Sequence, residues 1–507
     1  MIPIQFPPGV TNLASKNAKI VNWRESNLVR WDNGTTLRPV GGWEKFSLPP
    51  FTDTVRKMHR WSDNNNNVYT AYLCETHCYV DIKGVLTDIT PDGGMIDPTG
   101  TGGGYGDHTY GTLQYGTPRP GENRLRLYTP TYSMDNWGEE LRVMTSADGR
   151  YLGWSPIAAP GTKLVAIANA PLNNRSFIIT PERHAMIFGM DGQFDKFGWS
   201  DEEDDTNWAF TDILSRAGYY EISPKSPIVA HQLFEDGILM FSPAMSYEIE
   251  YVGLPYVYSY RPIGKVPIPV SPASVCETPS GVVWPSIDGW WIFDGTTPRV
   301  VPCDVWDFIT KRIDTPNARF FSAIVHVANK GEVWWFWPDK GTGPENARYV
   351  CWDYRSSVWN MGLLRRTCGF VYANDRYPVM SDGVNIWKHE IGFMYPDAVE
   401  MPWIESFNLN PNGGENMITV KKILPDVEGD IDALRFSMMK TNVRAGYTPE
   451  TRSPQRKKNG YGWVDIRETA LDMRLRIDMV KESDWGTVGP IVFDNAVRGK
   501  NSGRKGA

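Results

Sequence analysis

The chain has 507 residues and a net charge of −7, from 52 Lys and Arg against 59 Asp and Glu. That balance excludes a protein whose whole surface wraps nucleic acid, which is usually basic. Hydrophobic residues make up 41% and charged residues 22%, an ordinary globular proportion. The aromatics do not follow it: there are 21 Trp, 23 Tyr and 20 Phe, beside 47 Gly and 38 Pro. Aromatics favour strands and Gly and Pro punctuate turns, so a mostly β protein with many short strands is expected. Six scattered cysteines argue for a reducing compartment without a disulfide framework. The N-terminus "MIPIQFPPGV" shows no leader pattern. No apolar run reaches the roughly 18 residues of a membrane helix, so no membrane insertion is expected and folding in a cytoplasm is.

Residues 1–54 read as irregular, with "FPPG" at 6–9 and "LPPF" at 48–51. Within them "NLVRWDNGTTLRPVGGW" (27–43) has two apolar runs around Asn33-Gly34, the signature of a tight hairpin turn, and a glycine pair before Trp43. A segment poor in core of its own is expected to order against neighbours and to be dispensable for the rest of the fold. Trp23, Trp31, Arg38 and Trp43 are its candidate assembly residues.

From about residue 55 one unit recurs: an apolar strand, a polar turn, then an aromatic-rich strand. Its copies are "VYTAYLCETHCYVDI" (68–82), "LRVMTSADGRYLGW" (141–154), "HAMIFGMDGQFDKFGW" (184–199), "GILMFSPAMSYEIEYVG" (237–253), "GVVWPSIDGWWIFDG" (281–295), "EVWWFWPDKGTGPENARYVCWDY" (332–354) and "YPVMSDGVNIWKHE" (377–390). Four turns carry Asp-Gly, at 148–149, 191–192, 288–289 and 382–383. The spacing is about 40–54 residues once the glycine-rich insert 92–112 is set aside as a surface loop, a period that predicts β-propeller blades. Sheets apolar on both faces bury them by closing into a ring. The expectation is an all-β, six- or seven-bladed β-propeller over 55–399, with a string of hairpins in β-sandwiches as the competing architecture. "DEEDDTNWAFTDILSRAGYYEI" (201–222) reads as a long connection after the third unit. "VWDFITKRI" (305–313) reads as a short helix with Val305, Phe308, Ile309 and Ile313 on one face. Residues 400–494 read as a separate small sandwich-like β domain, and 495–507 as a flexible basic tail.

Several motifs invite chemistry. Cys74, His77 and Cys78 in "CETHC" are three soft donors, but a structural zinc site needs a fourth and no second cysteine pair exists; a hairpin turn explains them. Asp201, Glu202, Glu203, Asp204 and Asp205 form a run of carboxylates without EF-hand spacing. They read as a solvated loop or, if they face a pore, as a wall that repels phosphate and lets a duplex slide. Glu248, Glu250, Asp288 and Asp294 are the carboxylates nearest to a glycosidase reading, and Asp288 is better explained as a turn residue. No nucleophile elbow, zinc-protease or phosphate-loop motif occurs, no cofactor is implied, and the seven histidines lack ligand spacing. Strand tryptophans such as Trp284, Trp290, Trp291, Trp334, Trp335, Trp337, Trp352 and Trp359 read as core between blades, with a sugar-stacking platform as the alternative.

The opening "IQFPPGV…NWRESNLVRWDNGTTLRPVGGW" resembles the N-terminus of tail proteins from short-tailed bacteriophages. "TYSMDNWGEELRVMTSADGRYLGW", "FGWSDEEDDTNW", "YVGLPYVYSYRPIG", "ENARYVCWDYRSSVWNMG" and "MPWIESFNLNPNGGENMITVKKILPD" extend the resemblance, in order, over nearly the whole chain. The family is that of tail hub or nozzle proteins, some known as packaged-DNA stabilisation proteins. The resemblance implies a structural virion protein, not an enzyme, assembled in the host cytoplasm. It further implies a homo-hexameric ring below a head-to-tail adaptor, neighbouring tail fibres or spikes, and double-stranded DNA passing through without sequence recognition. It carries over no catalytic, cofactor or metal residues. A propeller enzyme acting on host polysaccharide, or a glycan-binding module, is the alternative function.

Overall fold

The computed structural model describes the chain except residues 1, 5, 13–21, 33–35, 97–128, 158–160, 236, 328–329, 372–376, 410–415, 442–449 and 501–507. The Asn33-Gly34 turn, most of the glycine-rich insert and the end of the basic tail lie outside the described residues. Seven antiparallel four-stranded sheets follow one another: blade 1 (residues 55–88), blade 2 (132–166), blade 3 (176–221), blade 4 (230–264), blade 5 (276–301), blade 6 (322–363) and blade 7 (368–389). Their first strands stand side by side around one axis. The chain is therefore a seven-bladed β-propeller, at the upper end of the expected count.

The repeated unit is the second and third strand of each blade with the turn between them. Those strands are flanked on both sides within the sheet and covered on both faces, and this is why they are written in apolar and aromatic residues. Gly237–Phe241 and Glu332–Trp337 are buried at every position. All four Asp-Gly pairs sit at this same turn. In blade 3 Asp191 and Gly192 take φ of 56° and 74°, the paired positive values of a primed turn. The long connection does follow the third unit, but it spans 200–217 instead of 201–222 and leads to the fourth strand of blade 3, Gly218–Glu221. The short helix forms as Trp306–Arg312, with Val305 and Ile309 buried.

Blade 7 contributes three strands of its own. Its fourth is Trp43–Lys45, which pairs with Ile386–His389 in the register His389↔Trp43 and Trp387↔Lys45. The N-terminal segment thus closes the ring. Its glycine pair is needed because the chain runs against the backbone of 390–394: a Cβ on Gly42 would lie 2.4 Å from Met394 N, and one on Gly41 2.8 Å from Glu390 Cα. Hydrogen bonds from Gly42 N to Gly392 O (2.7 Å) and Ile391 N to Gly42 O (2.9 Å) hold this approach.

The rest of the segment is also strand. Ile2–Ile4, Val29–Asp32 and Thr36–Pro39 join Asn416–Glu428, Val464–Ala470 and Thr487–Lys500 in a six-stranded sheet. Trp23–Asn27 joins Trp403–Ser406, Leu434–Thr441, Thr451–Arg452 and Asp472–Met479 in a five-stranded one. The C-terminal region is a sandwich, but two expectations about it are corrected. It is not built from 400–494 alone, because the N-terminal segment supplies three of the six strands of one sheet and one of the five of the other. The strand that begins at Thr487 also runs to Lys500, so the tail is paired backbone up to that residue.

Nor is the sandwich separate. One apolar cluster runs from Trp290, Trp335 and Trp359 in blades 5 and 6 through Trp23 and Val29 to Ile418, Phe436 and Leu475 in the sandwich. Side chains seal the junction: Ser26 Oγ donates to Met361 O (2.7 Å), and Leu363 N donates to Asn27 Oδ1 (2.7 Å) on the outer strand of blade 6. Arg30, itself buried, reaches across, with Nε 3.0 Å from Glu332 of blade 6 and Nη2 2.6 Å from Glu390. The tryptophans stack as core: Trp290 meets Trp306, Trp335 and Trp359 at ring distances of 5.2, 5.6 and 5.0 Å. Trp335 and Trp359 donate their indole N–H to backbone oxygens, Ser274 O (2.9 Å) and Pro302 O (2.8 Å), whereas the buried Trp290 N–H has no partner among the described residues.

Removing residues 1–45 is therefore expected to abolish soluble folded protein, measured as recovery and cooperative melting, and not to release an intact propeller. Trp43→Ala, at 1% exposure, is expected to cost about 3–5 kcal/mol in denaturant unfolding. Exposed Lys45→Ala in the same strand should stay within about 0.5 kcal/mol.

Candidate functional site

Three places concentrate polar chemistry: the ring closure, the propeller axis and the acidic loop. At the closure, Trp43 Nε1 donates to Asp397 Oδ1 at 2.5 Å, and its ring stacks on His389 at 4.9 Å and meets Tyr395 edge-on at 5.1 Å. Arg366, fully buried, donates two hydrogen bonds to Asp397 (2.7 and 3.2 Å) and one from Nε to His389 Nε2 (2.9 Å). Its guanidinium lies 5.2 Å over the Trp43 ring. His389 must accept here, so it is neutral; burial first, then the Arg366 cation, hold its pKa well below the usual imidazole range. Nothing in this knot opens to a cleft. Its four polar partners come from four points of the chain and fasten the closing strand.

The axial cavity is about 280 Å³ and draws its lining from the first strands of six blades and from Pro272, Ala273 and Val275 just before the first strand of blade 5. Most of that lining is small or hydroxylic, as with Ser133, Ser176, Ser322 and Thr367. The charged groups facing it are Arg56, Lys57 and Asp135. Arg56 is already held by Glu75 (2.7 Å) and Glu345 (2.8 Å). His231 donates or accepts at Ser176 Oγ (3.0 Å) and stacks on Phe188 at 4.2 Å. Burial, with Lys57 adding to it, lowers its pKa to about 3. The cavity is far too narrow for a nucleic-acid duplex.

The acidic run 201–205 is not a bare negative surface. Asp205 is buried at 4% exposure, with Arg142 Nε at 2.5 Å and the Tyr151 hydroxyl at 3.2 Å. Trp208 Nε1 donates to its carbonyl (2.8 Å). Glu202 pairs with Arg216. Asp201 accepts from Arg216 N and Asn207 Nδ2, both at 2.9 Å. Glu203 and Asp204 remain exposed, Glu203 with Arg183 at 3.9 Å. Two of five carboxylates thus face solvent, and the others organise the connection inside blade 3.

The remaining candidates disperse. Trp23, Trp31 and Trp43 are buried, and Arg38 pairs with Asp32 (2.6 Å) and Asp484 (3.8 Å). Offered as assembly contacts, these residues belong to the internal core and to one chain's own sandwich. Cys74 and Cys78 end and begin adjacent strands of blade 1; burial pushes both thiols up, against the thiolate a metal needs. His77 stands at the turn, 3.4 Å from Asp53. Glu248 and Glu250 both pair with Arg261 on blade 4. Asp294 caps a turn through Thr296 N (3.1 Å) and Thr297 N (3.2 Å), and Asp288 accepts from Trp291 Nε1 (3.0 Å). Arg56, Arg142, Arg366 and Asp397 were invisible in the sequence, because each is a single charged residue whose partner lies tens to hundreds of positions away.

No family model and no curated protein matches the sequence. Among solved structures the chain is similar to propellers. BBS1N in complex with ARL6DN has 8% identity and a TM-score of 0.40, over 69% of this chain and 97% of that one. The Cps50 (Swd1) β-propeller domain of Myceliophteria thermophila has 11% identity and a TM-score of 0.37, over 68% and 99%. The Neurospora crassa Pan2 WD40 domain has 7% identity and a TM-score of 0.38, over 69% and 94%. The likeness is one of fold, and nothing about binding or activity transfers at this level.

The closure knot sets an acid limit. A histidine neutral in the folded state and free in the unfolded one contributes stability above about pH 6.5, which is lost as pH falls below it. The expected slope is about 1.4 kcal/mol per pH unit for one group. In denaturant midpoints His389→Gln should reduce the wild-type decline between pH 6.5 and 5 by one group's share, the remainder belonging to His59, His184 and His231, whose pKa burial also lowers, at some cost in stability at pH 7.5. For the loop, Asp205→Ala leaves buried Arg142 with only the partly exposed Glu140 (2.9 Å) as its carboxylate partner and is expected to cost about 3 kcal/mol. Glu203→Ala and Asp204→Ala should be near neutral.

Proposed function

We propose that this protein is a structural subunit of a bacteriophage tail. It is a hub or nozzle that assembles as a ring, extends the channel below the head-to-tail adaptor, and retains and then conducts double-stranded DNA. The sequence resemblance over nearly the whole chain supports this reading. The structural observation that carries it is the single core shared by propeller and sandwich. A ring subunit that contains pressurised DNA has to transmit load without hinging, and here the strand that closes the propeller continues from strands of the sandwich.

The size of the axial cavity supports a second part of the reading. A duplex cannot pass through one propeller, so the conduit lies between subunits, on the axis of the ring, with the propellers outside it. Passage without sequence recognition needs no base-reading groups; it needs a wall that does not grip phosphate, and the chain's net charge of −7 suits that.

Electron microscopy of the purified protein, alone and with its cognate adaptor, is expected to show a sixfold ring with a central hole. Particles that stay single and poreless with the adaptor present would overturn the proposal. Release of oligosaccharide from host polysaccharide, abolished by one carboxylate substitution, would replace it with an enzyme.

A further inference from the structure

Two separate parts of the surface, one on the sandwich and one on the propeller, carry complementary groups. In the six-stranded sheet Val29–Asp32 is the edge that meets blade 6, and Val464–Ala470 is the opposite edge. In the five-stranded sheet Trp23–Asn27 meets blade 6, and Thr451–Arg452 is the opposite edge. The connection between these far edges, "SPQRKKNGYGW" (453–463), is therefore held away from the propeller by the width of a sheet. Lys422 Nζ lies 4.0 Å over the Trp463 ring. Lys458 lies beside Gly462, where a Cβ would meet its Cε at 3.2 Å. Tyr461 is 91% exposed. Lys422, Arg456, Lys457 and Lys458 form no ion pair among the described residues, and the neighbouring Asp465 accepts from Asn459 Nδ2 (3.3 Å). This contrasts with Arg30, Arg56, Arg142 and Arg366 in the interior, all held by carboxylates.

Blades 3 and 4 stand three and two places round the ring from blade 6, and their rim exposes apolar side chains beside carboxylates. Ile213 and Leu214, at 97% and 88% exposure, stand on the 200–217 connection, and Leu254 and Tyr256 on the hairpin between the outer strands of blade 4. Trp199 joins the two: its indole N–H donates to Arg216 O (2.8 Å) and its ring meets Tyr258 at 5.2 Å. Exposed Glu203 and Asp204 lie on the same connection.

We propose that the rim of blades 3 and 4 receives the basic, aromatic loop of a second copy of this chain. Lys457 and Lys458 would face Glu203 and Asp204, and Tyr461 the Ile213 and Leu214 side chains. A polyanion would satisfy the cations of the loop but leave the apolar rim uncovered, whereas a second copy satisfies both. Two different patches on separate parts of the surface make a head-to-tail contact, which propagates and closes into a ring when the rotation permits. The inference rests on the ring assembly proposed above and specifies its subunit contact.

The test is the mass of the assembly in solution for two variants, each checked for unchanged melting. Lys457→Glu with Lys458→Glu alters the loop; Glu203→Lys with Ile213→Lys alters the rim. Each alone is expected to fall from the ring to the 57.4 kDa monomer. A 1:1 mixture should recover assemblies of at least twice that mass, because intact rim then meets intact loop and reversed rim meets reversed loop. Rings that persist in both variants would overturn the contact and leave the ring standing. Wild-type protein that is itself monomeric would remove both. Loss of duplex-DNA binding in the loop variant, with its ring intact, would show the loop to be a polyanion surface instead.

Discussion

Everything in this molecule depends on three residues of backbone pairing. A propeller made by one chain must join its last blade to something, and here the join is Trp43–Lys45 against Ile386–His389. A strand that short gains little from its ladder alone. The stabilisation comes from what surrounds it: the Trp43 ring between His389, Tyr395 and Arg366, and the Asp397 carboxylate that accepts from both Trp43 and Arg366. A buried guanidinium is tolerable only when its donors are taken, and Arg366 donates to Asp397, His389 and its own neighbour's carbonyl. The charge is retained because it organises the closure.

That closure makes propeller and sandwich one folding problem. The segment before Trp43 supplies both outer strands at which the sandwich meets blade 6, so the ring cannot close until the first 45 residues have found partners more than 330 positions away, as Ser26 finds Met361. Long-range pairing of this kind is slow to form but yields a body without a soft linker. Arg30 illustrates the point, since a single side chain of the sandwich neutralises carboxylates of blade 6 and of the residue just after blade 7.

What the sequence revealed follows the same physics. Strands two and three of each blade were legible because they are flanked and covered on every side, so nearly every position is apolar, as in Glu332–Trp337. The Asp-Gly turns marked their junctions. First and fourth strands escaped because their exposure is mixed, as in Gly218–Glu221, whose residues alternate between half-buried and exposed. The N-terminal segment read as largely irregular because its strands run three to five residues each and, apart from the hairpin of Val29–Asp32 with Thr36–Pro39, pair with distant partners. Its tryptophans looked like contacts in search of a partner, and the partner was the other end of the same chain. The acidic run looked like a surface because carboxylates cluster in it, while the arginines that neutralise it, Arg142 and Arg216, sit elsewhere in the chain.

The distribution of unspent charge is what separates interior from interface here. Within the propeller, arginines lie against carboxylates at hydrogen-bond distance, and the loop 201–205 keeps most of its acids for internal work. Beyond residue 400 Lys440, Arg452, Arg474 and Arg476 are paired in the same way, whereas among the described residues Arg456, Lys457 and Lys458 of the connecting loop form no ion pair. Charged groups that fold a protein are paired inside it; those that join it to something else are left open and placed at its extremities. Under the proposed subunit contact, the open cations of the 453–463 loop would meet the exposed apolar groups of the 200–217 connection on a second copy, and such a head-to-tail contact closes into a ring when its rotation permits.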